Sequence, residues 1–307
     1  MIHTLTVSPA LDVTCQVDAL KYDDTLRATR VITSAGGKGL NVSRVAARLG
    51  HPTVALGYIA GFTGAHIQAH LEQEGVRTWF TKVEGESRIN PIVQAVDGHV
   101  VRVSTMGPAI TGHDLDRLVS KMFELREPDW LTLGGAYVEG CPKGFYADLV
   151  RRCRGEAVPV AVDADGGELA RAIEAGPDLI KPNRYELQRA IGRKVESADD
   201  AAEASRALVR RGVKFVATSL GPDGLILAGP GFTVLARPPT VAVESAVGAG
   251  DSLLAALLIK LTEEAGPAEA AAYAVAAGTA TAMIPGVALA GPAEIEALLP
   301  RVEVSEI

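Results

Sequence analysis

The chain has 307 residues, 48% of them apolar and 22% charged. That balance excludes wholesale disorder and is enough for a large core. A net charge of −7 without any long Lys/Arg block argues against a nucleic-acid binder.

Cys15, Cys141 and Cys153 form no Cys-x-x-Cys pair. This argues against a disulfide framework or a structural zinc site and fits a reducing compartment. The opening Met-Ile-His-Thr-Leu-Thr-Val has no basic segment and no signal-type apolar stretch. A cytoplasmic location is therefore expected. Residues 271–293 carry no charge and are long enough to span a bilayer. They are mostly Ala, Gly and Thr, and Pro285-Gly286 and Gly291-Pro292 interrupt them. A buried helix and the loop after it are expected there, with no membrane partner.

In chain order, the first third is rich in strand signals, with β-branched residues at 13–17 and 26–34. The turn Ala35-Gly36-Gly37-Lys38-Gly39-Leu40-Asn41 follows. After it, Val42, Val45, Ala46 and Leu49 lie on one helix face and Gly50 is a C-terminal cap. A strand, a glycine turn and a helix N-terminus suit an anion, because free N–H groups point outward. A dinucleotide fingerprint fits poorly, since 57–60 carries no acidic residue. A Walker A loop needs Gly-Lys-Ser/Thr, which the chain lacks. A tight turn without a ligand remains the plain alternative.

Segments 89–96 and 99–105 flank Asp97-Gly98, which predicts a two-residue hairpin. Thr111-Gly-His-Asp114 predicts a capping box for a helix at 115–125. Beyond it, apolar runs at 130–133, 158–162, 179–180, 215–218 and 225–228 alternate with helical patterns. The helices are expected at about 144–153, 167–175, 184–191 and 199–211. Such alternation predicts βαβ units and a parallel sheet covered on both faces. No repeat or linker divides the chain. A single domain over 1–307 is expected, with the early hairpins as an appendage.

Ala246-Val-Gly-Ala-Gly-Asp-Ser252 is a second small-residue turn, opening a helix at Leu253. Its N–H groups at 249–251 could form an anion hole, with Asp251 beside it. That pairing can deprotonate a hydroxyl while a phosphoryl group is transferred. An ordinary Asp balancing the helix dipole is the plain alternative.

Gly36-Gly-Lys-Gly-Leu-Asn-Val-Ser-Arg44 and Val247-Gly-Ala-Gly-Asp-Ser252 resemble the two signatures of the PfkB sugar kinase family. Ile180-Lys-Pro-Asn-Arg-Tyr-Glu186 and Ser219-Leu-Gly-Pro-Asp-Gly224 fall between them in family order. The resemblance covers nearly the whole chain. It implies a ribokinase-like, mainly parallel α/β fold with helices on both faces. A small β-sheet lid would come from strands at about 13–34 and 88–105. It implies ATP and Mg²⁺, with a small sugar phosphate as the other substrate and a homodimer through the lid.

Within the family the chain is most similar to kinases of phosphorylated ketohexoses. Fructose 1-phosphate is the first choice of substrate, with tagatose 6-phosphate or fructose 6-phosphate as alternatives. A non-catalytic sugar-phosphate sensor is the rival of another class, and a dehydrogenase stands third.

The resemblance also implies residue roles. Asp251 would be the catalytic base, and Gly248, Ala249 and Gly250 the anion hole. Lys181, Asn183, Ser219, Gly221 and Gly224 would bind ATP, and Glu186 would place Mg²⁺ through water. Asn183 and Glu186 also read as a capping box, and 219–224 as a type I turn around Pro222. Asp12, Gly36, Gly37 and Asn41 would contact the sugar. Arg27, Lys38 and Arg88 would clamp its phosphate, and Asn90 would touch the substrate. The chain departs from the family's usual Ser-Gly-Ser-Leu-Pro at Gly134-Gly-Ala-Tyr-Val138. It also has Ala246 where a polar residue is usual and Thr25 where the minor 6-phosphofructokinase has Lys.

Overall fold

A computed structural model describes residues 1–125 and 128–307. The chain opens with β1 (Ile2–Thr6), β2 (Ala10–Val17), β3 (Arg30–Gly36), α1 (Lys38–Arg48) and β4 (Thr53–Ile59). There follow α2 (Gly61–Gln73), β5 (Arg77–Thr78), β6 (Thr81–Lys82), β7 (Arg88–Ala95), β8 (Val100–Arg102) and α3 (Gly112–Glu124). The middle holds β9 (Trp130–Gly134), α4 (Phe145–Gly155), β10 (Val160–Asp163), α5 (Gly166–Ala175), β11 (Leu179–Ile180), α6 (Arg184–Ile191) and α7 (Ala198–Arg210). The chain closes with β12 (Phe215–Ser219), β13 (Leu225–Gly229), β14 (Phe232–Arg237), α8 (Ala249–Thr262), α9 (Pro267–Ala282), α10 (Pro292–Leu298) and β15 (Glu303–Glu306).

The main sheet runs β15-β14-β13-β12-β11-β10-β9-β1-β4-β5, with β6 also paired to β4. It is parallel from β12 to β5 and antiparallel from β12 to β15. Side chains alternate between its faces, as strand geometry requires. Val160 and Val162 pack with Leu169, Leu187 and Leu208 on one side. Ala161 packs with Val42, Leu254 and Leu257 on the other. A second sheet, β3-β2-β7-β8, stands apart as the expected lid.

Residues 271–293 cover most of α9, the loop behind it and the first two residues of α10. No helix among the described residues is long and apolar enough to cross a membrane. Thr111 and Asp114 form the expected capping box, although the helix starts earlier, at Gly112.

The hairpin at Asp97-Gly98 differs from expectation. The Ala95 N–H donates to the His99 carbonyl, and the Gly98 N–H turns back to the Ala95 carbonyl. The loop is therefore three residues, 96–98. Of these only Gly98 has positive φ, at 90°. A two-residue type I′ turn needs positive φ at both central residues, and Asp97 does not adopt it.

Thr6, Gly134 and Asp163 are register partners at the carboxyl ends of β1, β9 and β10. The chain winds from β1 out to β5, then returns to add β9 on the other side of β1. Ligands of open α/β sheets bind at such a reversal point.

Candidate active site

The two glycine turns meet here. Gly37 has φ 131°, and a Cβ there would lie 2.7 Å from Thr6 Cγ2. A Cβ on Gly39 would lie 2.9 Å from the Leu5 carbonyl. These close approaches seat α1 against β1, and the Leu40 N–H donates to Thr6 Oγ1 at 3.0 Å. On the other side Gly248 caps α8 with φ 79°. The N–H groups of Gly250 and Asp251 find no protein acceptor among the described residues. The Ala249 N–H instead turns to the Ala246 carbonyl at 3.4 Å, so the expected anion hole keeps only part of its donor set.

Asn41 on α1 donates from Nδ2 to Asp251 Oδ2 at 2.8 Å. Asp251 is buried, and burial is the main cause that raises its pKa to about 6. Asp163 pushes in the same direction, while the Asn41 hydrogen bond, Lys181 and Lys38 oppose. A carboxylate poised near neutrality suits a general base.

Asp163 stands in no motif of the sequence. It is 3% exposed, with Lys38 Nζ 2.8 Å from Oδ1 and Lys181 Nζ 3.2 Å from Oδ2. Burial pushes its pKa up, but Lys181 and Lys38 outweigh this and hold it below the usual carboxylate value. Burial likewise lowers the Lys38 pKa, while Asp163 and Glu186 more than reverse it. Lys181 also lies 3.2 Å from where a Cβ on Gly250 would stand, so a cation faces the start of α8.

Asn183 and Glu186 form the expected capping box, with bonds of 2.8 and 2.9 Å in the two directions. Glu186 Oε1 also lies 3.7 Å from Lys38 Nζ. The capping role therefore leaves one carboxylate oxygen facing the site. Asp163 Oδ2, although near Lys181, accepts no aligned hydrogen bond. No group of three or more His, Cys, Asp or Glu among the described residues is placed to hold a metal. An orphaned buried carboxylate oxygen with one further carboxylate fits Mg²⁺, which keeps several waters and takes phosphate oxygens.

Ser219 bridges to Asn183, and its N–H donates to the Pro182 carbonyl at 2.9 Å. Pro222 occupies a tight turn closed by the Gly224 N–H on the Gly221 carbonyl at 3.1 Å. Gly224 has φ 101°, and a Cβ there would sit 1.9 Å from the Ala236 carbonyl. This holds the 219–224 loop close to the sheet, near Asn183.

In the lid, β2 and β7 put Asp12 opposite Asn90. Asn90 Nδ2 donates to Asp12 Oδ1 at 2.8 Å. Burial raises the Asp12 pKa, opposed by Asn90, Arg102, Arg88 and Arg44. A Cβ on Gly36 would fall 2.4 Å from Asp12 Oδ2, so glycine there makes room for the carboxylate. Arg88 Nε donates to the Ser8 carbonyl at 3.2 Å, and its Nη1 reaches Ser104 and Thr105.

The three expected clamp cations are not brought to one point. Arg88 is half-buried in the lid, and Arg27 is exposed on the 18–29 loop. Lys38 is drawn by Asp163 and Glu186 to the strand ends instead. An ion pair with a buried carboxylate outweighs the reach of a flexible lysine toward the lid.

The matching family model describes the pfkB family carbohydrate kinases and covers residues 6–293. The chain belongs to the PfkB family of carbohydrate kinases. It is 31% identical to the 1-phosphofructokinase of Bacillus subtilis over the full length of both chains. It is 30% identical to the 1-phosphofructokinase of Borreliella burgdorferi over 92% of each. Its fold matches phosphofructokinase-2 from Escherichia coli in complex with substrates and products, with a TM-score of 0.93, 29% identity and 98% of each chain covered. The architecture is thus the expected ribokinase-like one, and ATP is the phosphoryl donor that a kinase of this family implies.

Proposed function

We propose that the chain transfers the γ-phosphoryl group of ATP to a ketohexose phosphate, with fructose 1-phosphate giving fructose 1,6-bisphosphate as first choice. One observation carries this reading. Asp251 is buried at a helix N-terminus that retains free N–H groups and faces Lys181, and burial raises its pKa to about 6. The carboxylate would accept the proton of the attacking hydroxyl while the helix end and Lys181 stabilise the transferring phosphoryl group. The likeness to two 1-phosphofructokinases, over the full length of one and 92% of the other, supports the choice of sugar.

Lys181, Asn183, Ser219, Gly221 and Gly224 would hold the nucleotide. Asp163 and Glu186 would hold Mg²⁺ through water, and the ion would neutralise charge on the transferring phosphates. Asp12, Asn90, Gly36, Gly37 and Asn41 would take the sugar hydroxyls. Arg88 would take the sugar's own phosphate, with Arg27 brought in from the exposed loop.

The whole chain would act as one domain in the cytoplasm. It would dimerise through the lid, which exposes Tyr22, Val31, Val96, Val100 and Val103. The loop at 134–138 lacks the family hydroxyls, and Tyr137 instead donates to Glu168 Oε2 at 2.5 Å. The intact set around Asp251 favours a working kinase over a sugar-phosphate sensor.

The test is a turnover panel with coupled ADP detection, using fructose, fructose 1-phosphate, fructose 6-phosphate and tagatose 6-phosphate. Fastest turnover of fructose 1-phosphate is expected. Preference for a free sugar would contradict the reading.

A further inference from the structure

The catalytic reading uses Asn41 and Asp251 but leaves a buried arginine behind them without a task. Arg44 is 3% exposed and lies one helical turn after Asn41 on α1. Its Nε and Nη2 grip Glu74 in a two-bond fork, at 2.7 and 2.9 Å. Its Nη1 donates to the Ala35 carbonyl at 3.1 Å and to Asn41 Oδ1 at 3.2 Å. Glu74 follows the last residue of α2 and is itself braced by His70 at 3.3 Å and Arg48 at 3.7 Å. The planar fork thus has both edges engaged, and its geometry leaves little freedom.

The consequence falls on Asn41. An amide offers one acceptor oxygen and one donor nitrogen. Arg44 can only donate, so it takes Oδ1, and the donor Nδ2 must face Asp251. An ionised Asp251 favours the same orientation, but once it carries a proton its O–H could turn the amide round, and Arg44 prevents this by keeping Oδ1 engaged. In this orientation Asn41 occupies Asp251 Oδ2. Asp251 Oδ1 accepts no hydrogen bond among the described residues, and it remains the oxygen free to take a proton.

We propose that Arg44, clamped by Glu74, is a positioning residue that fixes the orientation of Asn41 and so selects which oxygen of Asp251 accepts the substrate proton. This rests on the reading of Asp251 as the base. A buried ion pair by itself contributes little net stability compared with a well-packed apolar pair. The two-step geometry from Glu74 to Asp251 provides the pair with a function beyond packing.

The experiment is a double-mutant cycle with ATP and fructose 1-phosphate. It compares the parent, Arg44→Lys, Asn41→Ala and the double variant, with Asp251→Asn alongside. Lysine keeps the charge against Glu74 but loses the fork. Residues in one hydrogen-bond network couple, so Arg44→Lys is expected to lower kcat about tenfold with KM for ATP within about twofold. In the Asn41→Ala background the same change is expected to move kcat by less than about twofold.

Should Arg44→Lys fail to fold, Glu74→Gln carries the same cycle, with a smaller loss in the same direction. An unchanged kcat in Arg44→Lys, or an equal loss in both backgrounds, would overturn the inference. A near-normal rate in Asp251→Asn would instead overturn the base reading. A slow Asp251→Asn with a normal Arg44→Lys would remove only the positioning role.

Discussion

Asn41 and Asp251 stand 210 positions apart in sequence, yet their side chains meet at 2.8 Å where α1 and α8 begin. That bond stabilises the charged carboxylate, while burial opposes it, and the pKa settles at about 6. As a base Asp251 must be ionised, so kcat should fall about tenfold per pH unit below pH 6 and level off above it. A rate that stays flat down to pH 4.5 would contradict this.

The same pKa has a consequence for stability. Burial is its largest cause, and it places the folded pKa above the unfolded value near 3.8. The folded protein then binds the extra proton at low pH and loses that advantage as pH rises through about 6. Asp251→Asn removes the charge and should stabilise the ligand-free protein at pH 8, by on the order of 1–3 kcal/mol. The gain should vanish near pH 4. Thermal melts of both proteins at the two pH values check it, and a less stable variant at pH 8 would contradict it.

Glu186→Gln separates capping from metal placement. Glutamine can still close the box with Asn183, so the melting temperature should hardly move. The Mg²⁺ concentration needed for half-maximal rate should rise several-fold, because a carboxylate facing the site is lost. An unchanged Mg²⁺ titration would leave Glu186 with the cap alone.

Arg88→Ala tests the sugar phosphate's anchor. Removing one partner of a buried charge pair costs on the order of 2–5 kcal/mol of binding. KM for fructose 1-phosphate should rise at least tens-fold while KM for ATP holds. A silent substitution, or equal rises in both, would move the phosphate site elsewhere.

Much of this site was legible from local signals. The two glycine turns and the Asn183–Glu186 box each rest on a few adjacent residues, where backbone chemistry dictates side-chain type, whereas Asp12 stood out only through the family resemblance. Asp163 was not legible. Nothing near it marks one carboxylate among 37 acidic residues as the one buried at a strand end. Its importance comes from Lys38 and Lys181, distant in sequence and brought together by the sheet. Lys38 is a further case: its neighbours reveal its turn, but only the fold shows that Asp163 pairs with its ammonium. The three-residue hairpin at Asp97-Gly98 turned on a single backbone angle, which residue types alone leave open. The antiparallel pairing of β14 and β15 at the sheet's edge likewise had no signal in the strand–helix alternation.

The most direct test of the account is the kcat of Asp251→Asn with ATP and fructose 1-phosphate. Asparagine keeps the shape but cannot accept the proton. General-base loss costs about 10²–10⁴-fold, so kcat should fall by that factor with substrate binding largely kept. Turnover near the parent rate would show that Asp251 is not the base.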